Sequence, residues 1–279
     1  MICSALEASA YLHHLHLGTP APDRLAAFYA DMMDMKAEHA GDSSWIARGP
    51  DRRLQFSPGP AKTLIHAGFA LRDERGRDGL RARAEQQGLQ PRDACTSFFQ
   101  PGAFSVTDPD RNIIVFGLAA AEPQLRAGLR GPLQHLTLAT GDVPAIEGFY
   151  AGKLGFGVSD RVVNEHGKVM TSFMRGNHEH HNVACFYQER QGMDHHSYEA
   201  GEWDRIRDWA DRFAEREIQL MWGPGRHGPG NNLFIFIVDP DDNWIEVSAE
   251  LEVVHDRPVK QWPQVERTLN LWGRAILRV

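Results

Sequence analysis

An α+β fold of two similar halves is predicted by three features of this 279-residue chain. They are an internal repeat, alternating strand and helix signals within each copy, and matching turn sequences near each copy's end. "HLHLGTPAPDRLAAFYADMMDM" at 14–35 aligns with "HLTLATGDVPAIEGFYAGKLGF" at 135–156. His14 then matches His135, Phe28 matches Phe149 and Tyr29 matches Tyr150, each pair 121 residues apart. "VTDPDRNIIVFGLA" at 106–119 aligns with "IVDPDDNWIEVSAE" at 237–250, now 131 apart, so the second copy carries insertions. We therefore expect one domain over 1–120, a second over 131–250, and a tail over 251–279. "AEPQLRAGLRG" between the copies reads as a linker.

Each copy reads strand, helix, strands, helix, strands. "LQHLTLAT" has the alternation of a strand. Asp142 suits an N-cap with Pro144 just inside the helix, after which Ile146, Phe149 and Tyr150 share one helical face. A second helix is expected near 203–216, where Ile206, Trp209, Ala210 and Phe213 repeat that spacing; "GRDGLRARAEQQG" is its first-copy counterpart. "NLFIFIVD" and "WIEVSAE" are strands joined by the Asp-Pro-Asp turn "DPDDN". In the tail, Val265, Leu269 and Trp272 have helical spacing.

Composition narrows the function. Apolar residues make up 42% of the chain, enough for a real core, and the net charge of −7 is spread evenly. That excludes the basic face of a nucleic-acid binder. No uncharged apolar stretch is long enough to span a membrane. The first residues lack the basic and apolar regions of a secretory signal, so a cytoplasmic location is expected. Cys3, Cys95 and Cys185 are too scattered for a disulfide framework or a cysteine-rich zinc site. Fourteen histidines are many for this length and call for an explanation.

The explanation starts from Glu246. In "NWIEVSAE", Trp244, Glu246 and Ser248 share one strand face, and Ile245 and Val247 the other. If the Ile-Val face meets the helices, Glu246 points into the concave side of the sheet, where an ionised carboxylate needs a cation. The matching first-copy position is Val115, so only the second copy carries the acid. His135 and His196 lie on strands of the same half and are the candidate partners. Two imidazoles and a carboxylate suit a divalent first-row metal with open positions, above all non-haem Fe(II). His195, adjacent to His196, faces the opposite side of its strand, so only one of the two is a ligand.

The segments "GPGRHGPGNNLFIFIVDPDDNWIEV", "DHHSYE" and "LQHLTLAT" resemble signatures of the type I extradiol ring-cleavage dioxygenases of the vicinal oxygen chelate superfamily. The resemblance is sharp over 133–250 and extends to both copies through the repeat. It implies paired βαβββ modules whose curved mixed sheets surround a central cavity. It implies His135, His196 and Glu246 as metal ligands for Fe(II), with Mn(II) as a substitute. His181 takes the place of the family's acid–base histidine, and His227 that of a histidine near the substrate oxygens. An alternative arrangement in the family draws one histidine from the first half, which would put His14 in place of His135. The implied reaction inserts both atoms of O2 into a catechol-like vicinal diol with ring cleavage, in a homo-oligomeric enzyme.

Three pocket positions complete the reading: Trp222, Thr137 and Phe236. Thr137 stands where some relatives carry Asn, and Phe236 where the family usually has Tyr. A phenyl ring donates no hydrogen bond to a substrate oxygen; Tyr187 and Tyr198 are the nearby hydroxyls that could replace it. Two other readings stay open for that reason. One is a metal-dependent isomerase, lyase or transferase of the same superfamily. The other is a ligand-sequestering binding protein.

Overall fold

The structure is a computed structural model; residues 2–122, 125 and 128–276 are described, so the expected linker lies partly outside them. The first half runs β1 (Tyr11–Thr19), α1 (Pro22–Met32), β2 (Lys36–Gly41), β3 (Ser44–Gly49), β4 (Arg52–Pro58), β5 (Thr63–Ala70), α2 (Glu74–Gln86), β6 (Arg92–Asp93), β7 (Phe104–Thr107) and β8 (Ile113–Gly117). The second half repeats the order. It runs β9 (Leu133–Thr140), α3 (Val143–Glu147), β10 (Gly157–Val163), β11 (Val169–Arg175), β12 (Val183–Tyr187), β13 (Gly192–Gly201) and α4 (Trp203–Glu215). Then come β14 (Trp222–Arg226), β15 (Leu233–Val238) and β16 (Trp244–Ala249), followed by β17 (Lys260–Pro263) and α5 (Glu266–Leu269) in the tail. No helix among the described residues is long and apolar enough to cross a membrane.

These elements build an eight-stranded and a nine-stranded mixed sheet, the α+β architecture expected. The centre of each sheet is the same. β1 pairs parallel with β4 and antiparallel with β5, which pairs parallel with β8. β9 pairs parallel with β12 and antiparallel with β13, which pairs parallel with β16. Both halves contribute to one continuous core that includes Leu15, Phe56, Phe116, Leu138, Trp209 and Val247.

Local chemistry accounts for the helix and turn positions. Asp142 caps α3 by accepting from the Ala145 amide at 3.0 Å, with Pro144 in the first turn. From Gly148 the winding widens into a π-helical segment to Lys153; Gly148 and Gly152 offer little resistance to non-ideal winding there. Phe149 and Tyr150 remain buried through it. The two Asp-Pro-Asp turns are built alike. Asp108 accepts from the amides of Asp110 and Asn112, and Asp239 from those of Asp241 and Asn243, all at 2.8–2.9 Å.

Those turns also join the halves. The Tyr29 hydroxyl, on α1, donates to Asp239 Oδ2 at 3.0 Å. Burial, and then the Asp108 carboxylate, push up the phenol of Tyr150, the repeat counterpart of Tyr29. Each half thus sets a helix tyrosine against the other half's turn aspartate.

The tail differs from its helical spacing. Only Glu266–Leu269 form a helical turn, and Val265 and Trp272 are largely exposed. β17 instead adds to the sheet edge, parallel to β10, and the chain then crosses the open side of the second sheet. Backbone pairing with an available strand edge prevails over a weak apolar spacing.

The first half also holds a chain of neutral histidines. His14 contacts His13 through its Nδ1 at 3.1 Å and His66 through its Nε2 at 3.2 Å. Burial lowers His13 and His66 to about 3 and His16 to about 4, and takes His14 well down as well. The unfolded chain accepts protons near the ordinary value of 6.5, so these four contribute stability above that pH and lose it as pH falls toward 3–4. Asp108 and Glu199, pushed up by burial to about 6 and about 7, act in the opposite sense. Four imidazoles against two carboxyls leave a net loss. The urea midpoint should therefore fall steadily between about pH 6.5 and pH 4, and a flat profile over that range would show that these rings are not held neutral.

Candidate metal centre

Strand register assembles the site. On β13, Ser197 lies opposite both His135 of β9 and Glu246 of β16, and His195 lies opposite Thr137. Side chains alternate along a strand, so His135, Thr137, His195 and Glu246 share the concave face of the second sheet. Glu246 Oε2 lies 3.1 Å from His135 Nε2 and 3.3 Å from His195 Nε2, and the two imidazole nitrogens are 3.3 Å apart. His135 and Glu246 are buried, and His195 nearly so.

The expectation for His196 is corrected. Its ring is on the opposite face of β13, where its Nε2 meets the Tyr29 hydroxyl at 3.0 Å. That hydroxyl gives its own proton to Asp239, so His196 carries a proton on Nε2 and donates it. Burial lowers His196 to about 3 and keeps it neutral. The ring belongs to the seam between the halves, and His195 takes its place at the site.

The neighbours of each ligand atom determine its proton. His135 Nδ1 donates to Gln134 Oε1 at 2.5 Å, and Gln134 is oriented by giving its amide to the His181 carbonyl at 2.7 Å. His195 Nδ1 donates to Asp194 Oδ2 at 2.6 Å. Both rings, when neutral, therefore present bare Nε2 lone pairs to Glu246. Glu246 Oε1 accepts from Asn232 Nδ2 at 3.1 Å, which leaves Oε2 for the site. Burial alone would push the Glu246 carboxyl up; the charge and hydrogen bonding of His135, then of His195 and His227, more than reverse it and keep the group ionised.

Three electron-pair donors at mutual distances of 3.1–3.3 Å fit one divalent cation. At donor–metal lengths of about 2.1 Å, such a triangle subtends roughly 95–105°, close to one face of an octahedron with the other positions open. Asp160, His180 and Glu252 form a second cluster of the same residue types. There the cation is built in: Arg257 pairs with Asp160 at 2.9 Å and with Glu252 at 2.6 Å.

A cavity of about 150 Å³ opens beside the three donors. Thr137, His181, Trp222, His227 and Phe236, all named from the sequence, line it. His181 reaches it from outside the regular strands. It precedes β12, on which Cys185 faces the core while Ala184 and Phe186 face the cavity. Its ring centroid is 4.3 Å from that of His135, and its Nδ1 is 2.9 Å from His180 Nδ1. Burial, then His135, lower its basicity well below the ordinary value.

His227 gives its Nδ1 proton to the Leu269 carbonyl at 2.5 Å, so the neutral ring offers an unprotonated Nε2, which lies 3.8 Å from Glu246. Phe236 stacks on Trp222 with centroids 5.3 Å apart and meets the His195 ring edge-on at 5.3 Å. Of the two tyrosines weighed as replacements, Tyr187 lines the cavity, whereas Tyr198 is buried against His196 on the far face. His14 faces His66 in the first half and takes no part in the site.

Sequence reasoning missed His195, Asp194, Gln134 and Asn232. A signal for His195 was present: Tyr198 and Ala200 mark the core face of β13, and Ser197 and Glu199 the polar one, which His195 shares.

Comparison with known proteins addresses the same stretch. The model of the Glyoxalase/Bleomycin resistance protein/Dioxygenase superfamily matches residues 133–247. Metapyrocatechase 2 of Cupriavidus necator is 28% identical over 56% of this chain and 48% of its own length. This chain therefore spans about half of that relative. The 3-methylcatechol 2,3-dioxygenase of Pseudomonas putida is 25% identical over 91% of each chain. In structure, homoprotocatechuate 2,3-dioxygenase from Arthrobacter globiformis superposes with a TM-score of 0.83 at 19% identity, covering 99% of this chain and 90% of that one. Strand register, the three-donor face and the family match converge on one stretch: residues 133–247 are similar to the Glyoxalase/Bleomycin resistance protein/Dioxygenase superfamily.

Proposed function

We propose that the chain is an extradiol-type dioxygenase that uses Fe(II), with Mn(II) as a substitute, to insert both atoms of O2 into a catechol-like vicinal diol with ring cleavage. The observation that carries this reading is the triangle of His135 Nε2, His195 Nε2 and Glu246 Oε2, three ligand atoms close enough to share one metal ion. A ferrous ion held by these side chains supplies open coordination positions and a route for electrons from diol to O2.

The protein's own groups do the rest. His181 stands over the cavity with its Nδ1 against His180, whose Nε2 lies 3.1 Å from Asp160 Oδ2. Asp160 favours the proton on His180 Nε2, which makes His180 Nδ1 an acceptor and His181 Nδ1 a donor. That leaves His181 Nε2 free to take a diol proton and later return it. His227 Nε2 accepts a hydrogen bond from a bound hydroxyl. The rings of Phe173, Trp222 and Phe236 exclude water from the reacting carbons. A homo-oligomer of such chains is the assembly we propose.

Phe236 supports a second reading. With no hydroxyl at that position, a metal-dependent isomerase, lyase or transferase of the superfamily would need no O2. Loading the protein with Fe(II) without air, then adding a diol and O2, separates the two. The first reading requires one O2 consumed per diol cleaved, and turnover independent of O2 would reject it.

Two sets of variants test the assignment. His195→Ala and Glu246→Ala should weaken metal binding by at least about 100-fold, since loss of an outer partner alone costs 10–100-fold. His196→Ala should keep the metal and instead lose about 1–3 kcal/mol of stability as Tyr29 loses its partner. Metal retained in His195→Ala but lost in His196→Ala would return the ligand role to His196. His181→Ala should hold metal and diol normally while turnover falls about 10²–10⁴-fold; unchanged turnover would remove His181 from the reaction.

A further inference from the structure

We infer that the site selects a single-ring, uncharged vicinal diol with a small apolar substituent, and that the C-terminal segment 264–276 supplies the selecting wall. The inference rests on the proposed diol-binding reading of the metal centre and goes beyond it in substrate class.

Size is the first observation. A cavity of about 150 Å³ lies beside the metal-binding face. An apolar cavity of about that volume accommodates one benzene ring. A six-membered ring with a methyl-sized group fills it.

Charge is the second. The titratable groups around the cavity sit at its metal end: His135, His181, His195, His227, Asp194 and Glu246. The remainder of the lining carries no charged side chain: apolar Val162, Met170, Phe173 and Phe186 from the second sheet, with neutral polar Thr171, Tyr187, Gln264 and Thr268 among them. Among the described residues no lysine or arginine lines it. A carboxylate on the substrate ring would lose its water with no cation to replace it, in a site that already holds two carboxylates. A methyl at the same place gains from burial, about fourfold in affinity per carbon.

The tail is the third. Val265, Leu269 and Ile276 close the side of the cavity away from the sheet, beyond the stretch matched by the family model. Main-chain hydrogen bonds hold this wall against the β14–β15 hairpin. The Gly228 amide donates to the Thr268 carbonyl at 2.9 Å, and the Leu271 amide to the Arg226 carbonyl at 2.7 Å. The Trp222 indole donates to the Arg274 carbonyl at 3.1 Å. Gly228 permits this approach, because a Cβ there would stand 2.8 Å from the Thr268 oxygen. The backbone of Leu269 anchors His227, while its side chain faces the cavity.

The test is anaerobic calorimetric binding to the full chain loaded with Mn(II), using matched pairs that exchange methyl for carboxylate at one ring position. The probes are 4-methylcatechol against 3,4-dihydroxybenzoate, and 3-methylcatechol against 2,3-dihydroxybenzoate, with catechol as reference and 2,3-dihydroxybiphenyl as the large ring. We expect the methyl diols to bind about fourfold tighter than catechol. The acids should bind at least about 100-fold more weakly than the methyl diols, and the biphenyl should not bind measurably. Leu269→Arg and, separately, Ile276→Arg should narrow the acid-to-methyl gap at least tenfold. Either acid matching its methyl partner in the unaltered chain overturns the inference while leaving the diol-binding site intact. The expected selectivity without O2 consumption under air overturns the dioxygenase reading and supports this one. Absence of binding by every diol overturns both.

Discussion

Everything at the functional end of this molecule depends on two imidazole nitrogens and one carboxylate oxygen facing one another. His135 and His195 have each committed the Nδ1 proton to an oxygen behind them, which leaves Nε2 to face the Glu246 carboxylate. Packed at 3.1–3.3 Å, these atoms are held together by a proton or by a metal cation between them. The fold maintains the arrangement through pairing register: one residue, Ser197, fixes β9 on one side and β16 on the other. A slip of one residue in either pairing would rotate a ligand to the far face. The outer partners Gln134 and Asp194 immediately precede the histidines they orient, so each ligand and its partner travel on the same strand.

The first half shows what the same architecture becomes without the acid. His14 and His66 occupy the register positions of His135 and His195, and their nitrogens still approach to 3.2 Å. Val115 stands where Glu246 would be. Phe98 and Phe99 pack on the His14 ring at 4.7 Å, and Gly68 leaves the space that ring fills, since a Cβ there would lie 2.0 Å from it. With no carboxylate to balance a cation, the neutral rings bond to each other and the cavity is packed shut. This half serves instead as scaffold, and its Tyr29 satisfies both His196 and Asp239 across the seam.

Much of this was legible in the sequence because it depends on local patterns. The repeat, the strand–helix order, the Asp142 cap and the two aspartate turns all follow from residue spacing and turn chemistry. Glu246 stood out because a carboxylate inside an apolar strand needs a reason. The choice between His195 and His196 was harder. Both lie on one strand, and only the cross-strand register, a long-range property, says which face is concave. His181 lies before β12 and does not follow that strand's alternation. The tail was illegible for a related reason. β17 forms because β10 offers an unpaired edge, and nothing in "WPQVERTLNLWGRAIL" announces that neighbour.

The exchange of a hydroxyl for a phenyl at Phe236 has a consequence that the assembled site makes specific. Phe236 is held between Trp222 and His195, with Glu246 directly across the β15–β16 pairing, so its ring fills the position next to the metal-binding face. Around that face, the side chains able to exchange a proton are then chiefly imidazoles. His227 is committed at Nδ1 to a carbonyl that can only accept, which fixes its Nε2 as an acceptor while the ring is neutral. His181 has a different kind of partner, a second imidazole that can either give or take a proton and that is itself in contact with a carboxylate. His181 and His227 can each take a proton at Nε2 and keep the Nδ1 hydrogen bond that positions them. With a phenyl at Phe236, the imidazoles of His181 and His227 are left as the proton-exchanging groups beside the three donors, across from the apolar rings of Phe173 and Trp222.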